Sequence, residues 1–148
     1  MDARDLNILA LLQSDARLGY ADIGARVGLA ASSVHERVRK LERAGVIRGY
    51  RADIDLERAG FPITAIVSLA LRPHSPADVP TLIAEFDLVE SCYSVAGDNS
   101  YALIVRAPST ADLEHLLDSL RAKLEVVTRA TIVLSTPFEH RALLHPSP

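Results

Sequence analysis

The feature that most constrains this chain is the stretch Tyr20–Lys40, where two glycines four residues apart, Gly24 and Gly28, interrupt a run of helical apolar spacing. Two helices cross tightly only where a small residue sits at the crossing, and glycine suits the position just past the first helix's end. Gly24 meets the first need and Gly28 the second. Ile23, Val27, Leu29, Val34 and Val38 supply the apolar side chains that close the angle. The pattern predicts a helix-turn-helix, a unit that lays its second helix in the major groove of DNA. The plainer alternative is a helical bundle with a solvated basic face.

The second of these helices is predicted from about Ala31 to Ala44, with Gly45 ending it. Val34, Val38 and Leu41, at i, i+4 and i+7, form its inner face. Ser32, Glu36, Arg39, Lys40 and Arg43 fall opposite, with Ser33 and His35 at the flanks. Hydroxyls lie toward the N-terminal end, where such a helix meets base edges, and bases lie further along, where it reaches phosphates. Arg37 lies nearer the buried side. It is a candidate DNA contact, with a structural ion pair to Asp5 or Asp22 as the alternative. A first helix over Asp2–Gln13 carries Leu6, Ile8, Leu9 and Leu12, with Asp2 as N-cap and Asp5 in the first turn. A short helix from about Tyr20 to Val27 completes the three.

Beyond Gly45 the turn chemistry changes. Six of seven glycines lie in the first 60 residues, and five of eight prolines lie between 62 and 108. Val46–Ile54 reads as extended and Asp55–Gly60 as a turn-like connector. Strands are predicted at Ile63–Leu71, Val89–Ala96, Tyr101–Ala107 and Val126–Ser135. Helices are predicted from Asp78 to about Phe86 and over Thr110–Leu124. The order β-α-β-β-α-β is that of a ferredoxin-like sandwich, an antiparallel sheet backed by two helices. The fold class is thus α+β. Residues 1–52 form a winged helix-turn-helix domain, 53–61 a hinge, and 62–148 the ferredoxin-like domain. Charge divides at the same place: residues 1–52 carry +3 and residues 53–148 carry −6. A basic half can meet a polyanion.

Several functions are excluded. One cysteine, Cys92, permits no internal disulfide and no cysteine zinc site. The five histidines lack metal-ligand spacing, so no metal and no cofactor is expected. No P-loop, GxSxG, HExxH or GxGxxG occurs. The acidic N-terminus and the absence of an 18-residue apolar run speak against export and membrane spanning, so a cytoplasmic protein that is no enzyme is expected.

The segment RLGYADIGARVGLAASSVHERVRKLERAGVIRGYRADID resembles the DNA-binding domain of the Lrp/AsnC ("feast/famine") transcription regulators. SCYSVAGDNSYALIVRAPSTADLEHLL resembles that family's ligand-sensing domain, and the match runs from about Asp2 to Thr136. The resemblance implies a sequence-specific regulator that binds double-stranded DNA. It implies a strand-bearing hinge at about Val46–Gly60. The second domain would dimerise, assemble further to a form such as an octamer, and bind a small effector, usually an amino acid. The effector site it implies is the turn Gly97–Tyr101 (Gly97, Asp98, Asn99, Ser100, Tyr101) and the facing last strand near Thr131.

Three positions depart from the family pattern. Ala30 stands where serine usually opens the recognition helix, Asn99 replaces an aromatic residue, and Ser100 replaces an aspartate. Ser100 therefore offers no anion to an effector's ammonium. Read by itself, Gly97-Asp98-Asn99-Ser100 is also an ordinary hairpin turn. An architectural DNA-wrapping protein and a small enzyme on the second domain are the alternatives to a regulator.

Overall fold

A reciprocal cap opens the first helix, α1 (Ala3–Ser14). The Asp2 carboxylate accepts from the Asp5 amide and the Asp5 carboxylate from the Asp2 amide, each at 2.9 Å. In this computed structural model, which describes residues 1–145, α2 (Tyr20–Val27) and α3 (Ala31–Arg43) follow. Gly28 ends α2 in the left-handed conformation at φ 67. The Gly24 carbonyl accepts from the Leu29 amide at 2.9 Å, and a Cβ on Gly24 would collide with the Leu29 carbonyl oxygen. The tight crossing therefore requires glycine there. Ile8, Ile23, Val34 and Val38 are fully buried together. Each contributes about 1.5–3 kcal/mol to holding the helices in place.

Among the described residues no strand lies between α3 and the strands of the sheet. The expected wing and strand-bearing hinge are thus absent from the chain as described. A strand needs a ladder partner, and the described residues offer none to Val46–Ile54. The amides of Val46 and Ile47 instead return to the Leu41 carbonyl at the end of α3.

The sheet comprises β1 (Ile63–Ala70), β2 (Val89–Ser94), β3 (Tyr101–Ala107) and β4 (Val127–Ile132), in the order β2-β3-β1-β4, with all neighbours antiparallel. Helices α4 (Val79–Ile83) and α5 (Thr110–Leu124) complete the β-α-β-β-α-β order. Ser109 caps α5 through the Asp112 amide. The helix α4 stops three residues before the predicted Phe86, and β4 is shorter than Val126–Ser135. That strand lies at an edge; its residues pair along Ala65–Ala70 of β1, and past Ile132 one bond follows, from the Val133 amide to the Thr64 carbonyl at 2.9 Å.

One face of the sheet buries Val67, Leu69, Leu103 and Val105 with Ile83, Leu116, Leu120 and Leu124 from the helices. Register places Ile66, Ser68, Ala102, Ile104, Tyr93, Val127 and Thr131 on the other face. That face is open, with Ile66, Tyr93 and Val127 all exposed.

The chain divides into two compact units, Ile54–Thr136 and Met1–Asp53 joined by the described residues from Pro137 on. The sequence reading carried the second domain to residue 148. The described tail instead groups with the first unit, because the Gln13 side-chain oxygen accepts from the amides of Leu143 and Leu144 at 3.1 and 3.0 Å. Residues 146–148 lie outside the described residues.

Candidate DNA-binding face and sensing turn

The inner residues Val34, Val38 and Leu41 clamp α3, so its opposite face has to point outward. Ser32, His35, Glu36, Arg39, Lys40 and Arg43 are exposed and Ser33 is half-buried. Arg39 and Lys40 make no ion pair among the described residues, and the Arg43 Nε donates only to the Arg39 carbonyl at 3.3 Å. Two cations thus stand free beyond a stretch of hydroxyl, imidazole and carboxylate groups. Ala30 is the N-cap and supplies no capping oxygen.

Arg37 does not join this face. Its Nη1 donates to Asp2 at 2.8 Å and to Asp5 at 2.7 Å, tying α3 to the start of α1. The structure realises the ion-pair alternative, with Asp2 and Asp5 rather than Asp22. The cap bond from the Asp5 amide and then Arg37 lower the Asp2 carboxyl. Burial pushes Asp5 up, but the Asp2 amide and Arg37 outweigh it and the net shift is down. The Asp5 and Asp2 bonds raise Arg37. Nearby, Tyr50 donates to Glu42 at 3.0 Å, and burial followed by that carboxylate pushes the phenol up to about 12.

Sequence reasoning passed over Tyr20. Its ring lies 5.1 Å from that of His35, centroid to centroid. The available signal was an aromatic residue opening α2, just ahead of the crossing glycine.

In the second unit, Gly97 sits at φ 133, with nothing within 4 Å of a Cβ built there. The Val95 amide donates to the Ser100 carbonyl at 3.0 Å, and the Ser100 amide donates to Leu69 on β1 at 2.8 Å. These bonds close the turn and pin it to the sheet. The amides of Gly97, Asp98 and Asn99 have no acceptor among the described residues, so they are free for an anion. Asp98 is exposed, and Asn99, Ser100 and Tyr101 are half-buried. Thr131 is not beside them. It pairs with Ile66 and so lies level with Ile104, whereas the turn is level with Leu69 and Thr128. Two strand spacings and three residues separate it from Tyr101, about 14 Å.

Burial pushes the Cys92 thiol up, away from the thiolate that a nucleophile needs. Among the described residues no helix is long and apolar enough to cross a membrane.

Comparison with known proteins matches two stretches of the chain, the second of which runs past Thr136 into the tail. Residues 1–42 match the AsnC-type helix-turn-helix domain, and residues 64–143 match the Lrp/AsnC ligand binding domain. The chain is 41% identical over 142 residues to the HTH-type transcriptional regulator LrpA of Mycobacterium tuberculosis, covering 95% of each chain. It is 31% identical over 128 residues to LrpC of Bacillus subtilis, covering 86% of this chain and 89% of that one. Among solved structures, it resembles a feast or famine regulatory protein of M. tuberculosis complexed with L-methionine, with TM-score 0.93, 39% identity and coverage of 97% and 99%. A transcriptional regulator of Neisseria meningitidis, also in an L-methionine complex, matches with TM-score 0.86 and 26% identity, over 97% and 96%.

Proposed function

The chain belongs to the Lrp/AsnC family of transcriptional regulators, and from that premise we propose that it reads operator DNA with the outward face of α3 and senses an amino acid at the Gly97–Ser100 turn. The observation that carries the reading is the exposed row Ser32, His35, Glu36, Arg39, Lys40 and Arg43, with half-buried Ser33 at its flank, on a helix whose other side is locked in a core. Ser32, Ser33, His35 and Glu36 meet base edges. Arg39, Lys40 and Arg43 meet phosphates, while Arg37 holds the helices together.

One such unit offers too little surface for tight binding, so a two-fold dimer carries the pair of readers. The open sheet face supports this. Small residues, Ser68 and Ala102, lie between Ile66, Ile104 and Tyr93, a surface that a second sheet can cover. Further assembly, to an octamer or similar, builds on that dimer. Thr131 then reaches a sensing turn only from another copy. The amides of Gly97, Asp98 and Asn99 receive the effector's carboxylate. With Ser100 neutral, the amine takes a carbonyl, Thr131 or a neighbouring subunit's acid. An apolar amino acid suits such a site, and the L-methionine complexes of two relatives support that choice.

The test is fluorescence anisotropy on DNA from the protein's own upstream region, titrated with each of the twenty amino acids. Binding with a shift produced by methionine or another apolar amino acid is expected. Ligand-independent binding to any sequence would favour the architectural reading instead.

A further inference from the structure

Tyr20 is the first residue of α2, and its ring faces the imidazole of His35 on α3 with the planes tilted by 37° and the centroids 5.1 Å apart. That separation lies within the roughly 4.5–7 Å of favourable aromatic pairs. Both residues are exposed. The pair therefore fills no core, a task Ile23 and Val34 already perform one turn or less away. Neither ring makes a hydrogen bond among the described residues.

His35 lies in the first turns of α3, where base edges are met. An imidazole that reads a base must present a ring nitrogen along the base edge, so its plane has to be set. Its own helix does not set it. One turn away lie Ala31, Ser32, Val38 and Arg39, and among the described residues the imidazole makes no hydrogen bond to any of them, the Ser32 hydroxyl included. The contact that limits the imidazole is the Tyr20 face, supplied from the preceding helix across the Gly28 turn. A side chain ordered before binding loses less entropy on binding. We infer that Tyr20 is a positioning residue for base readout: its ring holds the His35 imidazole in the orientation that discriminates one or two base pairs in each half-site. This rests on the DNA-reading role of α3.

The experiment selects preferred sites from a random duplex library with the full-length chain. It compares wild type, Tyr20→Ala, Tyr20→Phe, His35→Ala and the Tyr20→Ala/His35→Ala double variant, with melting curves to verify folding. His35→Ala should flatten preference at particular base pairs. Tyr20→Ala should flatten preference at those same pairs by about two- to tenfold. Tyr20→Phe, which keeps the ring, should select as wild type does, and the double variant should be no flatter than His35→Ala. Wild-type preferences from Tyr20→Ala, or losses at other base pairs, would overturn the inference. So would a Tyr20→Phe profile as flat as that of Tyr20→Ala, because the hydroxyl and not the ring would then be acting. A wild type that selects no sequence would overturn the underlying DNA reading, and this inference with it.

Discussion

Replacing Gly24 by alanine sets two effects against each other. Alanine outranks glycine in a helix interior by about 1 kcal/mol, so propensity alone predicts a more stable protein. Packing predicts the reverse. A Cβ here would come well inside 3.0 Å of the Leu29 carbonyl oxygen, and that oxygen is backbone, unable to swing aside. The chain entering α3 would have to part from α2 by about 1 Å to regain ordinary contact. That movement stretches the bond from the Leu29 amide to the Gly24 carbonyl and loosens Ile23 against Val34 and Val38. Overpacking of this kind costs about 1–3 kcal/mol, and a weakened hydrogen bond adds about 1. With the propensity gain set against them, a loss of about 1–3 kcal/mol remains. In a unit of this size that lowers Tm by about 5–20 °C. The assay is thermal unfolding of the full chain by circular dichroism, beside Gly28→Ala. Gly28 has φ +67 but open space around a Cβ, so its alanine carries only left-handed strain, about 1–2 kcal/mol. A Tm at or above wild type for Gly24→Ala would refute the crossing argument.

Three further outcomes follow from the same geometry. Lys40→Ala should weaken binding to all DNA sequences alike and lower the salt slope by about one, and an unchanged slope in a salt titration removes Lys40 from the interface. Asp2 and Asp5 titrate below their ordinary 3.8 when folded, so their stabilisation is present above that value and is lost as pH falls through the lower folded values. Acid unfolding should show this loss, and Arg37→Ala should flatten it without abolishing it, because the cap bonds remain; an identical acid profile contradicts the pairing. Gly97→Val should weaken methionine binding in calorimetry, through strain at φ +133 rather than a clash inside the chain, and unaltered binding moves the site away from this turn.

Where local chemistry punctuates the chain, the sequence was legible to the residue. Gly28 stops α2 by its left-handed conformation, and Ser109 starts α5 by its cap, so Tyr20–Val27 and Thr110–Leu124 were found as they stand. The outward face of α3 followed from periodicity alone. Features that depend on a distant partner were less legible. Val46–Ile54 has strand-like residues, but no second strand meets it in the described chain. The position of Thr131 depends on the register of β4 against β1, which periodicity does not specify. Arg37 could be placed near the buried side, yet its second partner, Asp2, emerged only once the start of α1 had packed against α3. The tail's bonds to Gln13 join residues 130 and 131 positions apart, beyond any local signal.

The claim that α3 reads the groove is tested most directly by cross-linking from that helix. The full-length chain would carry Cys92→Ser to remove its native thiol and Ser32→Cys to hold a photoactivated cross-linker on the outward face of α3. The account predicts cross-links to bases in the major groove, in pairs separated by about one helical turn or a multiple of it. A Ser32 label that cross-links no base, or cross-links without regard to the groove, would contradict the account.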